Sequence, residues 1–244
     1  MTKKLSNIYL IRHGFTPANN ASYNDQRGMS EIAIDSYMPL EKHYGRRQAE
    51  ELGKFLDTIK GKTLILVSPY NRTLETLEIA LKYMHGDYRV MKKDELHEIN
   101  SGIHYARTKD EVLELFPETG KSFYRLKNWF PNATHYIYGE SERDVEYRVY
   151  DISVYIEEMA TEYDNVFVFG HGTVNKWIYY WISDENVLDH NMKNCEVIKI
   201  NGKKAETVFV PETVVPKGYM VDIDEYVRRR GNKIKQKQVL YKKG

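Results

Sequence analysis

Short blocks of continuous apolar residues alternate along the chain with segments whose apolar positions recur every three or four residues. Ile8–Ile11, Leu64–Val67 and Val166–Phe169 are apolar throughout, the pattern of strands covered on both faces, as in a parallel sheet. Val197–Ile200 and Thr207–Val210 read as later strands. Between the strands, Ala49, Leu52, Leu56 and Ile59 fall on one face of a helix, and Leu74, Leu77, Leu81 and Met84 stripe a second. Val145, Val149, Ile152, Ile156 and Met159 stripe a third, with Ser141 and Asp144 at capping-box spacing before it; Val174, Trp177, Ile178 and Trp181 mark a fourth. This alternation predicts an α/β sandwich with a parallel or mostly parallel sheet. Two stretches break the pattern. Residues 17–44 have little period, and residues 100–140 are rich in aromatics and bases, with Pro117, Gly120 and Pro131 as breaks. Ligands of open α/β sheets sit beyond the carboxyl ends of the strands, so both insertions are expected to form the rim of a site.

Composition narrows the class. The 244 residues are 41% hydrophobic and 29% charged, enough for one large domain with a buried core, or one domain with an appendage. Thirty-six bases against 35 acids give a net charge of +1, so no global basic field exists for nucleic acid. The charge is uneven: residues 217–244 hold nine bases and three acids, a local +6 on a body of −5. A main domain over 1–210 and a basic C-terminal tail over 211–244 are therefore expected. The tail reads either as a solvated terminus or as a docking arm that attracts anions. The single cysteine, Cys195, excludes an internal disulfide and a cysteine-based zinc cluster. No apolar run reaches the length of a membrane span, and a cytoplasmic location is the expectation. The phosphate-loop, dinucleotide, zinc-protease and serine-hydrolase signatures are all missing from the sequence.

Two strand ends look alike. The first runs into Arg12-His13-Gly14 and the strand at 166–169 runs into Gly170-His171-Gly172. A third, Leu64–Val67, ends in Ser68-Pro69-Tyr70-Asn71-Arg72 and would deliver Arg72 to the same sheet edge. Two imidazoles and two guanidiniums suit phosphoryl transfer. Guanidinium forks bind phosphoryl oxygens bidentately and stay charged. A neutral imidazole can attack phosphorus, and a second can stabilise the transferring group. Such a kit needs no metal and no cofactor.

At these residues the sequence resembles the histidine phosphatase superfamily, which includes cofactor-dependent phosphoglycerate mutases and many phosphatases. Leu10-Ile11-Arg12-His13-Gly14-Phe15-Thr16 resembles its signature; Gly45-Arg46-Arg47-Gln48-Ala49, Ser68–Thr73, Leu96-His97-Glu98-Ile99-Asn100, Gly139-Glu140-Ser141, Phe169–Gly172 and Asn194–Ile200 follow in the family's order. The resemblance covers about 5–210. It implies a three-layer α/β/α sandwich of the phosphoglycerate mutase-like kind. It further implies His13 as the phosphorylated nucleophile, with Arg12, Arg72 and His171 completing the phosphate pocket. Glu98 would be the proton donor, and Thr16 and Asn19 would support the pocket.

The chain also departs from the mutases. Pro17-Ala18-Asn19 stands where they carry a Trp-Asn pair, and residues 100–140 contain no adjacent arginine pair and no proline run. The leading expectation is therefore a metal-independent phosphomonoesterase. A phosphoglycerate mutase or related phosphotransferase is the alternative, and a non-catalytic module binding phosphate or a phosphoprotein is an alternative of another class. Arg107, Arg125 and Lys127, among the aromatics Tyr105, Tyr124, Trp129 and Tyr136, are candidates for contacting a substrate with extra negative charge or a flat ring. They could equally be solvated helix faces. The expected partner is a small phosphorylated substrate; a homo-oligomer is left open.

Overall fold

The computed structural model describes residues 7–19, 35–104, 107–183, 190–219 and 221. A six-stranded sheet in the order β3-β2-β4-β1-β5-β6 forms the middle layer. Its strands are β1 (Asn7–Arg12), β2 (Thr63–Val67), β3 (Tyr88–Lys92), β4 (Asn165–Gly170), β5 (Val197–Asn201) and β6 (Lys204–Phe209). β3, β2, β4 and β1 run parallel, while β5 joins β1, and β6 joins β5, antiparallel. Every residue of β2 and β4 is buried, as their unbroken apolar sequences require.

Alternate strand residues feed two cores. Leu10, Leu64, Leu66, Val166, Val168 and Ile198 pack with α5 (Glu142–Met159) and α6 (Gly172–Ile182). Tyr9, Ile11, Ile65, Val67, Phe167 and Phe169 pack with α1 (Tyr44–Leu56) and α2 (Asn71–Leu81). Three layers result, with the period-2 exposure of each strand deciding which helix pair it meets. The capping box of α5 is made: Ser141 Oγ accepts from Asp144 N at 3.2 Å and the Asp144 carboxylate accepts from Ser141 N at 2.6 Å.

Several details differ from the sequence pattern. Ile59 and Met84 lie just past the ends of α1 and α2, yet still pack against the second core. β3 has no apolar block; Val90 is solvent-exposed on this edge strand. The 100–140 stretch holds two helices, α3 (Lys109–Leu115) and α4 (Pro117–Trp129). Pro117 occupies the first turn of α4, where its missing N–H costs no hydrogen bond, so it opens a helix instead of breaking one. Tyr105, most of the 17–44 insertion and the basic run from Asp222 to Gly244 lie outside the described residues. Residues 211–219 lie beside α1 and the turn before it: Thr213 N donates to Glu51 of α1, and the Tyr219 hydroxyl donates to Glu41. No helix among the described residues is long and apolar enough to cross a membrane.

Candidate active site

Strand register brings the histidines together. Arg12 of β1 sits beside Gly170 of β4, so His13 and His171 leave adjacent strand ends, and their ring centroids lie 5.2 Å apart. β2 is the other neighbour of β4, and Ser68 N donates to Phe169 O at 3.0 Å. That bond places Ser68, and the start of α2 behind it, at the same edge.

The loop after β1 is fixed from several sides. His13 Nδ1 lies 2.8 Å from the Gly14 carbonyl; a carbonyl only accepts, so Nδ1 carries the proton and the lone pair of the neutral ring is on Nε2. Gly14 N donates to Thr76 Oγ1 and Phe15 N to Gln48 Oε1. A Cβ on Gly14 would stand 2.7 Å from Gly45 O, and one on Gly45 only 2.1 Å from Phe15 O, so the loop and the start of α1 meet backbone to backbone. Asn194 Nδ2 donates to His13 O and to Asn19 Oδ1, both at 3.1 Å. Asn19 Oδ1 also accepts from Thr16 N and Oγ1. Thr16 and Asn19 thus brace the loop. Cys195 takes the left-handed backbone conformation (φ +54°) while its N–H bridges the carbonyls of Arg12 and His13. That conformation is costly for a residue bearing a side chain. Burial pushes its thiol pKa far up, which suits a packing role.

His171 is fully buried. Arg72 Nε donates to His171 Nδ1 at 3.2 Å, so the ring proton sits on Nε2 and points to Ser68 Oγ at 2.7 Å. The Arg72 guanidinium also lies over the Tyr70 ring, 5.1 Å from its centroid, and Tyr70 meets His171 edge-on. Arg12 donates to the Met192 carbonyl, whereas its buried Nε has no hydrogen-bond partner among the described residues. Such an orphaned donor calls for an anion. Burial lowers the pKa of the Arg12 guanidinium, Arg72 adds to that, and Glu98 opposes it. Both imidazoles are held well below their ordinary pKa. Burial is the main cause at each, followed by Arg72; Arg12 acts the same way on both.

Glu98 stands at the N-terminus of α6. Its Oε2 accepts from Thr173 N at 3.3 Å and its Oε1 from Ile99 N at 2.9 Å. The acid loop is tied to α5 by Arg148, which donates to the carbonyls of Glu95 and His97 and forks onto Glu140. Asn100 N in turn donates to Glu140 Oε2 at 2.8 Å. The sequence reading gave Arg148, Ser68, Thr76 and Asn194 no individual role. Ser68, Asn194 and Arg148 fall in segments that carry the family resemblance, a usable signal; Thr76 has the look of an ordinary helix residue.

The three candidate substrate contacts are not drawn into this cluster. Arg107 Nη1 donates to Ile103 O at 2.8 Å, Lys127 Nζ donates to Pro131 O at 2.5 Å, and Arg125 is exposed on α4. Lys127 lies over the Tyr136 ring, and burial lowers its pKa. Among the described residues no group of three or more His, Cys, Asp or Glu could hold a metal ion.

Two imidazoles and two guanidiniums thus meet at the carboxyl edge of a mostly parallel sheet, where ligands of open α/β folds sit. The chain belongs to the histidine phosphatase superfamily, branch 1, which matches residues 8–211; it thus falls in the phosphatase and phosphoglycerate mutase-like class. Similar solved structures include the alpha-ribazole phosphatase of Shigella flexneri (20% identity, TM-score 0.64, covering 86% of this chain and 98% of that one). A mycobacterial glucosyl-3-phosphoglycerate phosphatase complexed with VO3 aligns at 17% identity and TM-score 0.60, covering 84% and 99%. The phosphoglycerate mutase of Bacillus anthracis aligns at 20% identity and TM-score 0.56, covering 86% and 94%. At these identities the likeness is one of fold. No curated protein matches the sequence.

Proposed function

We propose that this chain hydrolyses small phosphomonoesters through a phosphohistidine at His13, with no metal in the chemistry. The observation that carries the reading is a buried imidazole whose Nδ1 proton is engaged by the Gly14 carbonyl, set beside the buried Arg72 and the partly buried Arg12, whose Nε is an orphaned donor. Nε2 of His13 attacks phosphorus, a bond forms between nitrogen and phosphorus, and the ester P–O bond breaks. Glu98 gives its proton to the leaving oxygen. Water then attacks the phosphohistidine, Glu98 takes the water's proton, and the P–N bond breaks to release inorganic phosphate.

Arg12 and Arg72 offset the charge of the phosphoryl oxygens. Before substrate binds, burial, aided by the same two cations, keeps both imidazoles neutral, which preserves the nucleophile. A phosphate dianion offsets that repulsion and can accept from the orphaned Nε of Arg12. Hydrolysis is favoured over re-transfer because the described rim bases Arg107 and Lys127 donate to rim carbonyls and leave no paired clamp for a second acidic group.

The test is turnover of an aryl phosphate in excess EDTA. Wild type should be active and should yield an acid-labile phosphoenzyme on quenching, and His13→Ala should yield neither product nor phosphoenzyme. Activity retained by His13→Ala, or lost to EDTA, overturns the reading.

A further inference from the structure

The outer face of α5 carries a row of exposed residues: Arg143, Tyr147, Tyr150, Asp151, Val154 and Glu158. Tyr147, Tyr150 and Val154 are 65%, 48% and 50% exposed. These positions recur at helical spacing along four turns, opposite the buried stripe of Val145, Val149, Ile152 and Ile156. Water therefore covers an aromatic and aliphatic patch about 10 Å long, from Tyr147 to Val154, with Asp151 beside it and Arg143 and Glu158 at its two ends. Tyr150 is fixed by an edge contact to Trp181 of α6, 4.9 Å between ring centroids, and Tyr180, 41% exposed, extends the patch sideways. Monomeric proteins seldom leave contiguous aromatic faces in water, and a tyrosine already held by a neighbour loses little side-chain entropy when covered.

The order of residue types along the ridge identifies the occupant. A two-fold axis crossing the helix between Tyr150 and Asp151 would set two copies of α5 antiparallel. Arg143 then faces Glu158 of the second copy, Tyr147 faces Val154, and Tyr150 faces Asp151, its hydroxyl a donor for the carboxylate. Each pair occurs twice, as an isologous contact demands. A parallel arrangement would instead set Arg143 on Arg143 and Glu158 on Glu158. Neither Arg143 nor Glu158 has a side-chain ion-pair partner among the described residues, so both charges are available across the axis. We propose that this ridge is a self-complementary surface through which two copies of the chain form an antiparallel α5–α5 dimer.

The buried side of α5 packs into the core against the sheet, and no residue of the ridge belongs to the His13–His171 cluster. The test is sedimentation of the full chain over a concentration series. Wild type should show a monomer–dimer equilibrium. Arg143→Glu alone, and Glu158→Arg alone, should each raise the dissociation constant about tenfold or more, because each creates two like-charge contacts. Mixing the two single variants should restore pairing, since every facing pair in the mixed dimer is again of opposite sign. The double variant R143E/E158R should dimerise as wild type, which guards against a single variant failing through its own folding. A wild type that stays monomeric overturns the proposal. So does a dimer indifferent to both single reversals, or a mixture that does not pair.

Discussion

Two neutral histidines buried beside two arginines should make folding sensitive to mild acid. His13 and His171 are almost wholly buried and held well below the ordinary imidazole pKa. In the unfolded chain both return to about 6.5. Above that pH neither state binds a proton at these rings, and they add no pH dependence. As the pH falls below it, the unfolded chain takes up protons that the folded pocket refuses, so stability is lost until the folded value is reached. With the folded value well below the range sampled, moving from pH 7.5 to 5.5 costs about 1.4 kcal/mol per histidine, or about 2.7 kcal/mol for the pair. That is a large share of the 5–15 kcal/mol, roughly, that hold a domain folded. The assay is urea unfolding followed by circular dichroism at both pH values, for wild type and for the double variant His13→Asn/His171→Asn. The surface histidines His85, His135 and His190, each beside a carboxylate, are common to both proteins and cancel in the difference. The double variant should lose about 2.7 kcal/mol less than wild type over that interval. Equal losses in the two proteins would mean that the rings are not held neutral, and the reasoning would fail.

Glu98→Gln should lower kcat on alkyl phosphates by about 10²–10⁴-fold, with a smaller loss on p-nitrophenyl phosphate, whose leaving group needs no proton; steady-state kinetics on the two esters check it, and equal losses refute a proton-donor role. Ser68→Ala removes the partner of His171 Nε2 at 2.7 Å and should reduce kcat/KM about tenfold, with the acid limb of the pH profile displaced. Gly45→Ala drives a methyl into Phe15 O and should destabilise the fold by about 1–3 kcal/mol, read as a lower Tm.

The sequence announced the sheet where strands are buried on both faces, because an apolar block such as Val166–Phe169 has few other uses. It was silent on β3, whose Tyr88-Arg89-Val90-Met91-Lys92 is an edge strand with water on one side and so carries no such block. The four main helices were legible from their stripes, while α4 was hidden by its own Pro117 and Gly120, which mark a helix start and a close contact with Leu113. At the site, the meeting of His13 and His171 could be argued from two similar strand ends. The bracing by Asn194, Thr76 and Arg148 could not, since their hydrogen bonds to His13, Asn19, Gly14, Glu95 and His97 span 51 to 181 positions with no local period. Among the candidate substrate contacts, sign of charge alone could not tell whether Lys127 would face a ligand or a carbonyl of its own loop.

The pairing of Arg12 with Gly170 across two neighbouring strands has an architectural consequence. The gap between the imidazoles is set by the hydrogen-bond ladder in the middle of the molecule, not by any connecting segment. Insertions around Arg107–Asn132 can lengthen, shorten or change composition without altering that gap. The α3–α4 segment can therefore be exchanged while the spacing of the two imidazoles stays as it is.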